Sequence, residues 1–184
     1  MSESTARHAL QTPRLVLEPT TPEHAREAWP YLDDERMWEF FPDLRPKTLD
    51  DLRALYRRWE RGSPFPNRNE TWENWLCRSR ETGLLLGATQ ATIVANDTAH
   101  IAYGIYVVHR RNGYAREAAH ATIEHLQHVH GVRRVLAEMD VRNVASVAVA
   151  ESLGFRHVET RLGVRRGYGP ATGEFVYELC LTRA

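Results

Sequence analysis

The stretch IAYGIYVVHRRNGYA, residues 101–115, decides the fold. Its first half, up to Val107, has the apolar, aromatic and β-branched content of a buried strand. Its second half is a short polar loop with one glycine, and from Ala115 the period changes. Ala115, Ala118, Ala119, Thr122, Ile123, Leu126 and Val129 recur at helical spacing, and Gly131 stands where a helix C-cap belongs. Strand, loop and helix start in that order gather unpaired amides at one point. The first amides of a helix have no partner inside it and carry about half a positive charge. Such a helix start suits a diphosphate. Gly113 lets the backbone approach that group without a Cβ, and Arg110 and Arg111 add charge. Ala115 keeps the helix end close to whatever lies on it. The loop lacks the Gly-Lys-Ser/Thr of a triphosphate-binding loop and two of the three glycines of a dinucleotide fingerprint.

Upstream, Leu15-Val16-Leu17 reads as a strand, and Thr21-Pro22-Glu23 starts a helix reaching about Leu32. A second helix runs from Thr48 to about Arg61. A hairpin follows, with strands over Asn74–Arg80 and Leu84–Val94 joined at Glu81-Thr82-Gly83. After a turn at Asn96-Asp97 comes the strand Ala99–Val107. Downstream, Val132–Val141 is a strand, Asn143 caps a short helix ending at Leu153-Gly154, and Phe155–Thr160 and Phe175–Leu181 close the sheet. Between them, Gly163–Gly173, with Arg165-Arg166, reads as a hairpin loop. The order predicts the α/β class, a mixed and mostly antiparallel twisted sheet flanked by helices. Residues 1–12 read as a mobile N-terminus and residues 13–184 as one domain.

Composition bounds the function. Lysine plus arginine equals aspartate plus glutamate at 24 each, so no global field favours nucleic acid or an anionic membrane. The opening MSESTARHALQTPR has no apolar core of a signal peptide, and no run approaches the roughly 18 apolar residues of a membrane span, so a cytoplasmic location is expected. Cys77 and Cys180 lie on strands among apolar residues and read as buried thiols. His120, His125, His128 and His130 read as a solvated helix face, with no cysteine or carboxylate to complete a site, so no metal is expected.

Four segments in order carry a family resemblance: Pro13-Arg14-Leu15-Val16-Leu17, Arg80-Glu81-Thr82-Gly83, Arg110-x-x-Gly113-x-Ala115, and Asn143-x-x-Ser146 leading to Leu153-Gly154-Phe155. With them the chain resembles the GNAT superfamily of N-acetyltransferases, and within it the RimJ/RimL-type branch of ribosomal-protein N-terminal acetyltransferases. The resemblance implies that acetyl-CoA lies in a splay between the strands Ala99–Val107 and Val132–Val141. The pantetheine arm would bond along Ile105 and Val107. The pyrophosphate would rest on Arg111, Asn112, Gly113, Tyr114 and Ala115, with Arg110 at the family's Gln/Arg position. Asn143 matches the asparagine that reaches the pantetheine.

The reaction it implies is direct attack of an amine on the thioester. Many relatives place a tyrosine in the last helix to protonate the leaving thiolate; Val149 stands there, and Ser146 is the implied substitute. The base is open among Glu159, Glu138, His100 and a relaying water. Trp38, Phe40 and Phe41, from an aromatic cluster that equally suits core packing, match the acceptor-side wall. The acceptor is an amine, either a peptide N-terminus or a small molecule. An α-amine, with a pKa near 8, needs roughly 3 kcal/mol less to lose its proton than a lysine amine. A homodimer supported by the glycine-rich loop is a further expectation. The competing reading is a non-catalytic acyl-CoA-binding domain on the same fold. A third, RNA binding through Arg110-Arg111 and Arg165-Arg166, is opposed by the zero net charge.

Overall fold

In a computed structural model that describes residues 8–65, 67–164 and 172–182, the strands are β1 (Leu10–Gln11), β2 (Leu15–Pro19), β3 (Thr71–Ser79), β4 (Leu85–Val94), β5 (Thr98–Ile105), β6 (Arg134–Asp140), β7 (Arg156–Val164) and β8 (Thr172–Cys180). The helices are α1 (Ala25–Leu32), α2 (Leu49–Arg61), α3 (Tyr114–His130) and α4 (Val144–Ser152). The strands form one sheet in the order β1-β2-β3-β4-β5-β6-β8-β7. β5 and β6 pair in parallel; the other neighbours pair antiparallel. The expected α/β class and mixed, mostly antiparallel sheet are therefore present. No helix of the described residues is long and apolar enough to cross a membrane.

Alternation along the strands sorts side chains into two cores. Leu15, Leu17, Trp75, Cys77, Ile101 and Ala137 pack under α3, whose Ala118, Ala119 and Leu126 are fully buried. Leu76, Leu85 and Tyr106 pack on the other face beneath Ala25, Ala28, Leu52 and Tyr56 of α1 and α2. The turns form where their chemistry demands. Asn96 and Asp97 take φ of 63° and 53°, the left-handed pair of a tight hairpin. The Thr48 side chain caps α2 by accepting from the Asp51 amide.

The parallel pair is short. It runs from Thr98↔Arg134 to Ile101↔Ala137 and stops. β4 nevertheless follows β5 to Gly87↔Ile105, and β8 follows β6 to Asp140↔Glu174. β5 and β6 therefore diverge beyond Ile101 and Ala137, each held by its outer neighbour. A β-bulge sits in β4 at Leu86, where Cys77 pairs with Gly87 and Arg78 with Leu85. At Gly87 the backbones are so close that a Cβ would lie 2.2 Å from the Gly104 carbonyl oxygen.

Three expectations change. Val107 is not in the strand: β5 ends at Ile105 and residues Val107–His109 form a 3-10 turn, because the Tyr106 amide turns back to the Leu86 carbonyl at 2.8 Å. Paired structure begins at Leu10, ahead of residue 13, since Leu10 and Gln11 bond against Leu17 and Val16. Cys180 is exposed near the end of β8, whereas Cys77 is fully buried as expected. Of the glycine-rich stretch, Gly163 and Gly173 lie in β7 and β8; Arg165-Arg166 lies outside the described residues.

Candidate active site

The loop between β5 and α3 is built by its own polar groups. Asn112 Nδ2 donates to the carbonyls of His109 and Arg110, both at 3.1 Å. Arg111 and Gly113 take φ of 68° and 77°, so the chain curls before entering α3. Gly113 is the N-cap and supplies no side chain to the first turn. Among the described residues no acceptor meets the amides of Arg111, Asn112, Gly113, Tyr114 and Ala115. Amides directed into such a curl form an anion-binding nest, reinforced by the helix dipole.

Arg14, quoted above only as part of a motif, braces this loop. Its Nη1 donates to the Asn112 carbonyl at 2.9 Å, its Nε to Glu117 at 2.6 Å, and its guanidinium lies 4.7 Å from the centre of the Tyr114 ring. Burial opposes ionisation of Glu117, but hydrogen bonds from Thr12 and Arg14 hold its carboxyl below the usual range. A cleft of about 400 Å³ lined by Pro13, Arg14, Ser79, Arg80, Glu81 and Tyr114 opens beside this helix start. Arg110 turns away from the nest. Its Nε donates to the Ile105 carbonyl at 3.1 Å, and its Nη2 lies 3.5 Å from the Arg36 carbonyl and 3.4 Å from Met37 Sδ. It ties the end of β5 to the connection between α1 and α2.

Across the splay stands the start of α4. Asn143 Oδ1 accepts from the Ser146 amide at 3.1 Å, so the asparagine caps the helix. Ser146 is half-buried in the first turn. Tyr103 of β5 spans the gap and donates its hydroxyl to the Ser146 carbonyl at 2.9 Å. Burial pushes the Tyr103 phenol upward, so it stays protonated at neutral pH. A tyrosine hydroxyl therefore does stand at the first turn of α4, reaching it from β5 and not from position 149, which helix-based spacing does not reveal.

On the opposite sheet face, beyond α1 and α2, three carboxylates gather round Arg161 of β7. Its Nη1 is 2.9 Å from Glu138 and 3.7 Å from Glu174, and its Nη2 is 2.9 Å from Glu159. His100 Nδ1 is 3.9 Å from Glu138. The three base candidates therefore share one cluster, although they come from β5, β6 and β7. Glu138 is the first β6 residue past the last parallel pair, at the mouth of the splay. Glu159 lies further out, and the Arg161 guanidinium holds its carboxyl below the usual range, which weakens it as a base.

The aromatic connection closes the other side. Trp38 donates its indole N–H to the Leu32 carbonyl at 2.8 Å. With Met37, Tyr56, Trp59 and Tyr106 it lines a mostly apolar cavity of about 100 Å³ that ends at Ala88 and Gly104. Nothing lies within 4 Å of where a Gly104 Cβ would stand, so the sheet is open there. Phe40 lies 5.7 Å beneath the Arg142 guanidinium and Phe41 is half-buried. The segment thus reaches from Arg110 at the end of β5 to Arg142 after β6.

The histidine tract departs from expectation. His120 and His128 are exposed, but His125 and His130 turn inward to Glu73 of β3. The carboxylate comes from another strand, so local spacing does not show it.

Residues 14–156 match the family model described as "Acetyltransferase (GNAT) domain". No curated protein matches by sequence. Among solved structures, the chain is similar to a GNAT-family acetyltransferase from Bacillus anthracis, with a TM-score of 0.81 at 18% identity over 94% of this chain and 98% of that one. It is similar to RimL, a ribosomal L7/L12 α-N-protein acetyltransferase in complex with coenzyme A, with a TM-score of 0.80 at 15% identity over 95% and 98%. A spermidine N-acetyltransferase from Vibrio cholerae, in complex with CoA and spermine, has a TM-score of 0.74 at 14% identity over 94% and 98%. At these identities the likeness is one of fold.

Proposed function

Since the chain belongs to the GNAT acetyltransferase family, we propose that it transfers the acetyl group of acetyl-CoA to a primary amine by direct attack. The observation that carries this is the parting of β5 and β6 beside a helix start whose amides have no protein acceptor. The edge of β5 from Ala102 to Ile105, which β6 does not pair, offers backbone groups to a pantetheine arm, apart from the Ile105 carbonyl that Arg110 occupies. The amides of Arg111 to Ala115 take the pyrophosphate. Arg14 and Arg80 border a cleft suited to further anionic parts of the coenzyme.

The amine approaches from the face of Gly104 and Glu138. Glu138, alone or through a water, takes the amine proton; the nitrogen attacks the thioester carbon; the C–S bond breaks. The thiolate, whose free thiol has a pKa of about 8.5, needs only modest help, and the hydroxyls of Tyr103 and Ser146, brought to one place by the Tyr103–Ser146 carbonyl bond, are its proton donors on this reading. The products are the N-acetylated amine and coenzyme A. The carboxylates around Arg161 draw a cationic amine inward, and the apolar cavity takes an uncharged group next to it. Such a pairing suits an α-amine on an apolar residue or an arylalkylamine better than a polyamine.

The test is thiol release from acetyl-CoA with a panel of peptides differing in the first residue, arylalkylamines, polyamines and aminoglycosides. Turnover favouring apolar amines is expected, with Gly104→Val raising the acceptor KM about tenfold or more and leaving coenzyme affinity in place. Binding of acetyl-CoA without turnover on any amine would leave a non-catalytic acyl-CoA-binding domain. No thermal shift at millimolar acetyl-CoA would remove the coenzyme assignment itself.

A further inference from the structure

Glu73 occupies the same strand face as Trp75 and Cys77, where the core is otherwise apolar. Its two oxygens are each met by a ring: His125 Nε2 lies 2.9 Å from Oε2 and His130 Nε2 3.1 Å from Oε1. The side chains of His125, His130 and Glu73 are 9%, 19% and 11% exposed. The rings are oriented by packing, His125 edge-on to Trp75 at 5.4 Å and to His130 at 5.3 Å. An interior carboxylate is costly unless positive charge or strong donors meet it.

We propose that Glu73, His125 and His130 bind one divalent transition-metal ion, zinc foremost, which clamps the end of α3 to β3. The three ligand atoms already lie within 4.8 Å of one another. Zinc bonds of about 2.0–2.2 Å in a tetrahedron separate ligand atoms by roughly 3.3–3.6 Å. The histidine–carboxylate separations of 2.9 and 3.1 Å, to different oxygens of Glu73, fall a few tenths of an ångström short, and side-chain rotations would bring one of those oxygens and both rings to a common centre. Two imidazoles and a carboxylate form a donor set zinc accepts, with water as fourth ligand. To bind zinc through Nε2, each neutral ring changes tautomer, its proton passing by way of solvent from Nε2 to Nδ1. His125 follows Tyr114 by roughly 17 Å of helix, so the ion takes no part in acetyl transfer. It would stiffen the helix whose other end forms the candidate coenzyme loop.

Full-length protein stripped with a chelator is titrated with zinc(II), and bound metal is measured after dialysis. One zinc per chain at micromolar affinity is expected, with Tm rising by about 5–10 °C when free zinc exceeds its Kd 100-fold. Glu73→Gln and His130→Gln should each weaken binding at least tenfold with unchanged circular dichroism. His130 is the more exposed ring, so its variant keeps the test decisive if Glu73→Gln does not fold. Affinity weaker than millimolar in the unaltered protein overturns the proposal and leaves a hydrogen-bonded cluster only. Binding undiminished in His130→Gln also overturns it, since the metal then sits elsewhere.

Discussion

The Arg161 guanidinium lies 2.9 Å from the Glu138 carboxylate, from a strand that enters the sheet only after β8 has intervened. The same guanidinium lies 2.9 Å from Glu159, so what separates the two carboxylates is position, Glu138 following the last parallel pair of the splay. Glu138→Gln should lower kcat about 100-fold with coenzyme affinity intact, and Glu159→Gln should change kcat by less than about threefold. Steady-state kinetics at saturating acetyl-CoA checks both. The reverse ranking would move the base to Glu159.

Tyr103 and Ser146 are the two proposed donors to the leaving sulfur. Ser146→Ala and Tyr103→Phe should each reduce kcat, by about tenfold for the residue that gives the proton and little for the other. Their coenzyme affinities, read by calorimetry, should stay within about twofold of the parent's, because neither side chain belongs to the nest. Full turnover in the double variant would remove both from the mechanism.

Gly113 at φ 77° is a backbone position an L side chain enters only with strain. Gly113→Val should cost roughly 1–2 kcal/mol locally and unfold the curl. Coenzyme A affinity should fall about tenfold or more while the far-UV spectrum holds. An unchanged Kd would place the pyrophosphate elsewhere.

Asp140, at the turn from β6 into α4, is held at about pKa 2 chiefly by the Arg142 side chain, which bonds both its oxygens at 2.8 Å. Its folded pKa lies below its unfolded value of about 3.9, so the stabilisation is full above about pH 4 and is lost as pH falls toward 2. The contribution is at most about 2 kcal/mol, reduced because Arg142 is open to solvent. Asp140→Asn should flatten the acid limb of a denaturant-melting series between pH 4 and 2.

What was legible in the sequence was what local pattern writes. Helical spacing from Ala115, the glycine at 131 and the caps at Thr48 and Asn143 each fix an element from within. Val107 was misread because its apolar character continues the strand while the Tyr106 amide ends it by bonding to the Leu86 carbonyl. Cys180 is exposed, against the periodicity, because β7 accompanies β8 only as far as Glu178 and leaves the last β8 residues uncovered on that side. Arg14, Tyr103, Arg161 and the Glu73 partnership went unseen for another reason. Each acts on residues tens of positions away, and no local spacing records which strands the sheet brings together.

The pairing of β5 with β6 through α3 has one more implication. Most of the proposed donor cleft comes from one continuous stretch, residues 98–152, a β-α-β-α unit, to which Arg14 and Arg80 are added from outside. The proposed acceptor side adds to Gly104 and Glu138 of that stretch the helices α1 and α2 with their aromatic connection from before it and Glu159 and Arg161 from after it. On the proposed reading, substitutions in the flanks would alter the acceptor wall while leaving most of the coenzyme-holding centre in place.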